Sequence, residues 1–290
     1  MHPLVVAIFA TLVLGAGKLA GALATGSAAV LASAADSLGD AVVSGVNLVM
    51  LRQAARPADD GHPWGHGKAE ALASLSQAVL LAGVVVGVVW TAGARLTGAS
   101  PAPTPDTSTA LWGMAASMVG SFLISTFLER AAKRTGSLVL RADAAHYRMD
   151  LLTGAAVLLG LGATALWQAP RADALAALGV SVLMVREVVR LGSEAVDELM
   201  DRPLPPDEVA VVEAALRRIG GHVRSWHDLR TRRAGPFRFI QVHVSLPPDL
   251  TFAEAHAESH RVERELAQVL ANVDVIAHAD LDGVDEGGLT

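Results

Sequence analysis

The chain contains no cysteine. That excludes disulfides and thiolate ligands, and leaves His nitrogen and Asp or Glu oxygen as the donors for any metal site. Charge is scarce too: 18% of the 290 residues are Asp, Glu, Lys or Arg against 52% hydrophobic, and the mean hydropathy is +0.41. This is too apolar for an ordinary soluble domain. No HExxH or HxxEH occurs, which argues against an intramembrane metalloprotease; His256-Ala-Glu-Ser-His260 has the wrong order. The first apolar run lacks a basic start and a convincing cleavage site, so it reads as a span rather than a signal peptide.

What is present is an integral membrane protein. Runs of about 20 mostly apolar residues, the length that crosses hydrocarbon, recur and then stop near residue 195. Six spans are predicted, near 4–24, 27–52, 70–95, 109–131, 139–165 and 171–192. Arg52, Arg56, Lys68, Arg130, Lys133, Arg134 and Arg141 flank the connections after the second and fourth spans, whereas the other connections hold little beyond Arg95 and Arg171. The positive-inside rule makes the basic connections cytoplasmic and puts both termini inside. Glycines within the spans, such as Gly83, Gly87, Gly120 and Gly154, are expected where helices approach closely. The stretch Gly98–Ser108, with Pro101, Pro103 and Pro105, is expected as an outer loop.

After Arg190 acidic residues arrive together, and Pro203, Pro205 and Pro206 mark a linker. The chain therefore divides into a six-helix transmembrane domain, 1–200, and a small α+β domain of ferredoxin-like αββαβ order, 201–290. The latter is predicted as a helix over 206–219, strands over 223–233 and 237–246, a helix over 252–271 and a strand over 273–280. Two helices cover one face of such a sheet, and the other face needs a partner surface, which suggests a dimer.

Three constellations carry chemistry. Asp36 and Asp40 in the second span, and His146 and Asp150 in the fifth, are i, i+4 pairs, so each pair lies on one helical face. A mid-bilayer Asp costs roughly 2.5 to 3.5 kcal/mol, so three carboxylates there imply a function. Their O,O,N,O donors suit a tetrahedral zinc-like ion, and protonation of a histidine near pH 6.5 competes with metal loading, a coupling between cation and proton movement. Asn47 and Asp143 face the same region, as outer support or as polar lining. In the connection after the second span, Asp59, His62 and His66 have the spacing of three convergent ligands, while Lys68 suits an ion pair. In the last domain His227, His243, His256, His278 and Asp280 are spread over successive elements, with His278 and Asp280 at i, i+2 on one strand face.

Asp36-Ser-Leu-Gly-Asp40, Pro57-Ala-Asp-Asp-Gly-His-Pro-Trp-Gly-His-Gly-Lys-Ala-Glu70, His146-Tyr-Arg-Met-Asp150, His227-Asp-Leu-Arg-Thr-Arg232 and Phe239-Ile-Gln-Val-His243 closely resemble the cation diffusion facilitators, in particular the bacterial zinc and ferrous-iron efflux type. The resemblance covers nearly the whole chain. It implies a homodimeric, multi-pass antiporter of the inner membrane that exports Zn2+, or Fe2+, Cd2+ or Co2+, from the cytoplasm against protons. Its partners would be the lipid bilayer and a second copy of the chain, with no nucleic acid. By the resemblance, Asp36, Asp40, His146 and Asp150 are the transport site, Asp59, His62 and His66 a loop site, and His227, His243, His256, His278 and Asp280 a binuclear cytoplasmic site with Gln241 or Ala279 near it. Lys68 and Asp201 would form a dimer interlock. Ala279 departs from relatives that ligate through a side chain at that position. A membrane-anchored metal sensor and an intramembrane metalloenzyme are the rival readings.

Overall fold

The computed structural model describes residues 2–25, 28–97, 108–167 and 172–283. It divides into two compact units, Met1–Val196 and Asp197–Thr290. The loop expected around Pro101, Pro103 and Pro105 lies outside the described residues.

Six long helices make up the first unit: α1 (Pro3–Thr25), α2 (Ala28–Ala54), α3 (Ala69–Leu96), α4 (Ser108–Thr135), α5 (Leu138–Trp167) and α6 (Ala172–Leu199), the last running across the boundary. Among the described residues α1, α2 and α3 are long and apolar enough to cross a membrane by composition alone. The other three are as long, but each carries at least four Asp, Glu, Lys or Arg. Many of those charges answer one another inside the bundle. Arg148 of α5 lies 3.3 Å from Glu129 of α4 and 2.8 Å from Glu187 of α6, and Arg141 of α5 lies 2.5 Å from Glu194 of α6. Paired in this way, ionised side chains are tolerated where isolated ones would not be.

The turn between α4 and α5 is only two residues long. Gly136 takes φ +70°, the left-handed cap conformation a side chain would resist, and its N–H closes α4 onto the Ala132 carbonyl. Ser137 then caps α5 by accepting from the Leu140 N–H, and its own hydroxyl donates to the buried Glu70 carboxylate at 2.6 Å. So tight a turn sets α4 and α5 side by side.

Helix α5 packs on two sides at once. Val139, Leu140, Ala144 and Tyr147 join a core with Leu4 and Ala7 of α1 and Ile124 and Leu128 of α4. Ala142, Ala145 and Met149 join another with Leu81 and Val85 of α3 and Met184 and Leu191 of α6. Lipid is as apolar as leucine, so packing fit rather than water exclusion holds such helices, and the buried alanines of α5 let its neighbours come close. A Cβ at Gly154 would meet Met118 at 2.9 Å and one at Gly120 would meet Leu14 at 2.7 Å, so these two glycines do mark close approaches. Gly83 and Gly87 face open space and have no such role within the chain.

The second unit is built from α7 (Pro206–Leu216), β1 (Ser225–Ala234), β2 (Phe237–Leu246), α8 (Phe252–Leu266) and β3 (Val273–Leu281). Its sheet has the order β1-β2-β3, with β1 and β2 antiparallel and β2 and β3 parallel across the α8 crossover. Pro206 starts α7, and a capping box of Thr251 and Glu254 starts α8. Ile240, Val242, Val244 and Ala277 form the sheet side of a core closed by Val212 and Leu216 of α7 and Val262 and Leu266 of α8. Both helices end short of the predicted 219 and 271. After α8 the chain unwinds through i, i+3 bonds from Gln268 and Val269 before Asn272, at φ +53°, turns it into β3.

Glu208 at the start of α7 receives Arg238 Nε at 2.7 Å and Arg233 Nη2 at 2.7 Å, clamping the helix to β1 and β2. The Arg238 hydrogen bond foremost holds the Glu208 carboxyl below its ordinary 4.5. A depressed folded value means stability that is complete above the unfolded value near 4.5 and is lost as pH falls through the folded one. Glu208→Ala is expected to cost about 2 kcal/mol at neutral pH, with the deficit shrinking on acidification below about pH 4. Hydrogen exchange of α7 in the purified protein, compared across pH, reads this directly.

Candidate metal centres

At mid-bundle, Asp40 of α2 and His146 and Asp150 of α5 offer three ligand atoms within 4.8 Å of one another. The closest pair is His146 Nε2 and Asp40 Oδ1 at 2.9 Å. Such an arrangement follows from two helices crossing with an i, i+4 pair on one and a facing carboxylate on the other. Asp36, expected as the fourth donor, is exposed and does not enter the group. One helical turn spans about 6 Å along α2, so with Asp40 level with His146, Asp36 lies a turn away.

The loop cluster is Asp59, His62 and His66. Asp59 and His62 exchange backbone hydrogen bonds in a tight turn, and Gly65 supplies a left-handed φ of +79°. His66 is buried and donates Nδ1–H to the Pro57 carbonyl at 3.2 Å, which leaves Nε2 as its free donor atom, 3.4 Å from Asp59 Oδ2. Fixing the ring by its other nitrogen is how ligand histidines are oriented. His62 Nδ1 lies 3.4 Å from Asp59 Oδ1. The His62 backbone N–H, donating to Asp59 Oδ1 at 2.8 Å, holds that carboxyl below its ordinary range and so in its ligating form.

In the second unit three histidines stand in a row across the sheet: His227 pairs with His243, and His243 with His278. They project from the face opposite α7 and α8, because Val242 and Val244, flanking His243 in β2, point into the helix-covered core. Asp280, two residues beyond His278, lies beneath them and is only 7% exposed. Its Oδ2 is 3.2 Å from His227 Nε2 and 2.8 Å from His243 Nδ1, and its Oδ1 is 3.2 Å from His278 Nε2. Among the described residues Oδ1 is buried without a hydrogen-bond partner, the condition a cation would relieve. Cation binding fits this donor set. His256 does not join it. Ser259, Val262 and Leu266 turn the buried face of α8 to the sheet, leaving His256 exposed, stacked on Phe252 and 4.4 Å from His260.

The two units, one with donors set between its long helices and one with donors on a small sheet, have counterparts among known proteins. Residues 4–200 match the family model for the cation efflux transmembrane domain, and residues 204–281 that for the cation efflux protein cytoplasmic domain. The chain belongs to the cation efflux family. The cation-efflux pump FieF of Shigella flexneri is 37% identical over 263 residues, covering 88% of this chain and 84% of that protein. FieF of Pectobacterium atrosepticum is 38% identical over 261 residues with the same coverage. Among solved structures, CzrB in its Zn form is 38% identical over 30% of this chain and 98% of its own, with a TM-score of 0.28. The metal-bound C-terminal domain of the CzcD transporter from Thermotoga maritima is 25% identical over 28% of this chain and 93% of its own, with a TM-score of 0.26.

Cation efflux proteins are transporters, not enzymes, so this chain is a multi-pass membrane transporter of divalent metal cations. In this member of the family Asp201 receives Arg232 Nη1 at 3.3 Å, within the second unit, and Lys68 immediately precedes α3. Two groups escape a reading of the sequence. Lys18 of α1 donates to Ser37 Oγ at 2.7 Å, next in the chain to Asp36; a lysine inside a predicted span is itself the signal that finds it. Ser44, Tyr147 and Thr11, which join Asp143 and Asn47 in one hydrogen-bonded network, carry no charge and give no such signal.

Proposed function

We propose that this cation efflux protein is a Zn2+/H+ antiporter of the inner membrane that exports zinc from the cytoplasm, with both termini cytoplasmic. Residues 1–200 are its membrane domain and 201–290 its metal-binding and dimerisation domain. The observation that carries the reading is the convergence of Asp40, His146 and Asp150 between α2 and α5. Zinc loads when these groups are unprotonated, the bundle rocks, and protons entering from outside displace the ion. Asp36, one turn away, is the fourth ligand recruited as the site closes on its cargo. The imidazole favours Zn2+, with Fe2+, Co2+ or Cd2+ as weaker competitors, over Mn2+ or Mg2+, which prefer all-oxygen sites.

The Asp59, His62 and His66 loop holds a second ion. The cytoplasmic cluster would hold a binuclear pair, with Asp280 as its carboxylate donor, His227 and His243 beside one oxygen and His278 beside the other. His256 belongs to this cluster once the open sheet face is covered by the second copy in a homodimer, which Lys68 and Asp201 interlock. Filling the cluster favours one arrangement of the dimer by linkage, so the cytoplasmic domain senses metal load.

Proteoliposomes loaded with a pH-sensitive dye test the central step: zinc added on one side should drive proton movement the opposite way, with a rate that saturates in zinc. Zinc binding without counterflow would make the protein a membrane-anchored sensor instead. The variant His146→Asp is expected to raise manganese flux relative to zinc about tenfold or more, because an all-oxygen cage no longer prefers the borderline ion. An unchanged zinc-to-manganese ratio would remove His146 as the selectivity ligand.

A further inference from the structure

Asp143 lies on α5 three residues before His146 and is 0% exposed. Asn47 Nδ2 of α2 donates to its Oδ1 at 2.9 Å, and Ser44 Oγ of α2 donates to the same carboxyl, 3.0 Å from Oδ1 and 2.9 Å from Oδ2. Ser44 Oγ is also 3.2 Å from Tyr147 Oη, which is 2.8 Å from Thr11 Oγ1 of α1, and Thr11 donates to the Ala7 carbonyl at 2.9 Å. Thr11 spends its proton on Ala7, so it accepts from Tyr147, and Ser44 spends its proton on Asp143. The enclosed carboxyl is thereby held by two side chains of α2.

We propose that Asp143, Ser44, Asn47 and Tyr147 are positioning residues for transport, a hydrogen-bonded lock that joins α1, α2 and α5 and fixes the distance between Asp40 on α2 and His146 and Asp150 on α5. Ser44 and Asn47 are four and seven residues after Asp40, and Asp143 and Tyr147 flank His146. The lock therefore lies on the same interface as the donor group, about one turn along it. Metal coordination tolerates only about 0.2 Å of error in ligand distance, so a slip between α2 and α5 is felt at the cage. The lock is buried, with Tyr147 in the core that α5 shares with α1 and α4, where a wholly satisfied network specifies one arrangement and a broken one does not.

The lock rests on the cage reading, and zinc flux into proteoliposomes, resolved into KM and maximal rate for the full-length protein, separates the two. Asparagine at 143 keeps the Oδ1 that accepts from both Asn47 and Ser44. Asp143→Asn is therefore expected to keep both constants within about twofold of wild type, whereas Asp143→Ala raises KM about ten- to a hundredfold, as loss of an outer support does at metal sites. Tyr147→Phe and Ser44→Ala, which nearly conserve volume, shift KM the same way and decide the matter if Asp143→Ala does not fold. Asp143→Asn as impaired as Asp143→Ala would mean that the ionised carboxylate itself is needed, and would overturn the lock. Wild-type KM in Asp143→Ala, or in both Tyr147→Phe and Ser44→Ala, overturns it equally. His146→Ala transporting like wild type would instead strike down the cage.

Discussion

Alanine at Asp40 is expected to bring zinc flux down to the level of protein-free liposomes, a loss of at least about a hundredfold. Asp40 is the α2 member of a three-donor group whose other two members both come from α5. Without it the donors left in that group are an i, i+4 pair on a single helix, and α2 offers only Asp36 a turn away, which weakens the link between ion capture and movement between helices. Even outer-shell partners of metal ligands are worth ten- to a hundredfold, so a ligand 2.9 Å from the histidine it faces is worth at least the top of that range. The loss must be one of turnover, not of fold. Retained elution volume and thermal midpoint in detergent, beside absent flux, is the expected pair of results; wild-type flux would mean that zinc crosses elsewhere.

Alanine at Asp280 is expected to reduce zinc affinity of the cytoplasmic cluster about a hundredfold or more while leaving measurable transport. All three histidines of the row converge on this one carboxylate, two on Oδ2 and one on Oδ1. Its removal takes away the one carboxylate that all three histidines share and leaves the imidazoles alone, whereas loss of His278 would spare the Oδ2 half. Zinc competition against a chelating dye, with the full-length protein, would show the strong cytoplasmic sites disappear and the rest persist. Under the proposed function the cluster biases the arrangement of the dimer without carrying the cargo, so flux should fall by less than in the Asp40 variant. Equal loss of flux in the two variants would argue that the cluster lies on the path.

The architecture was legible because both environments print a period on the chain. Lipid demands runs of about 20 apolar residues, and the sheet demands alternation, so six helices and an αββαβ unit could be placed, most ends falling close and the end of α6, expected near 192, lying at Leu199. Donor identity was legible for the same reason: His278 and Asp280 share a strand face by parity, and His146 and Asp150 a helix face by phase. What periodicity does not carry is the level at which one element crosses another. Asp36 and Asp40 have nearly the same phase, yet only Asp40 is level with His146 in the structure. His256 illustrates the second gap. Its helix is anchored by Ser259, Val262 and Leu266 on the far side of the sheet from the histidine row, and that choice of side belongs to chain crossover, not to local sequence.

The doubly packed α5 also decides where this protein can change over evolutionary time. Val79, Leu80, Val86 and Trp90 on α3 are exposed among the described residues, so substitution there should be accepted on one face of each turn and rejected on the other. From Leu138 to Met149 on α5 there is no accepting face, since every position is buried or half-buried, with Ala142, Ala144 and Ala145 wholly enclosed. Any larger side chain at those alanines pushes one packed neighbour or another. New metal preferences in descendants of this chain should therefore arise from ligand exchanges at its polar positions or from changes on helices with a free side, while the wall of α5 stays fixed.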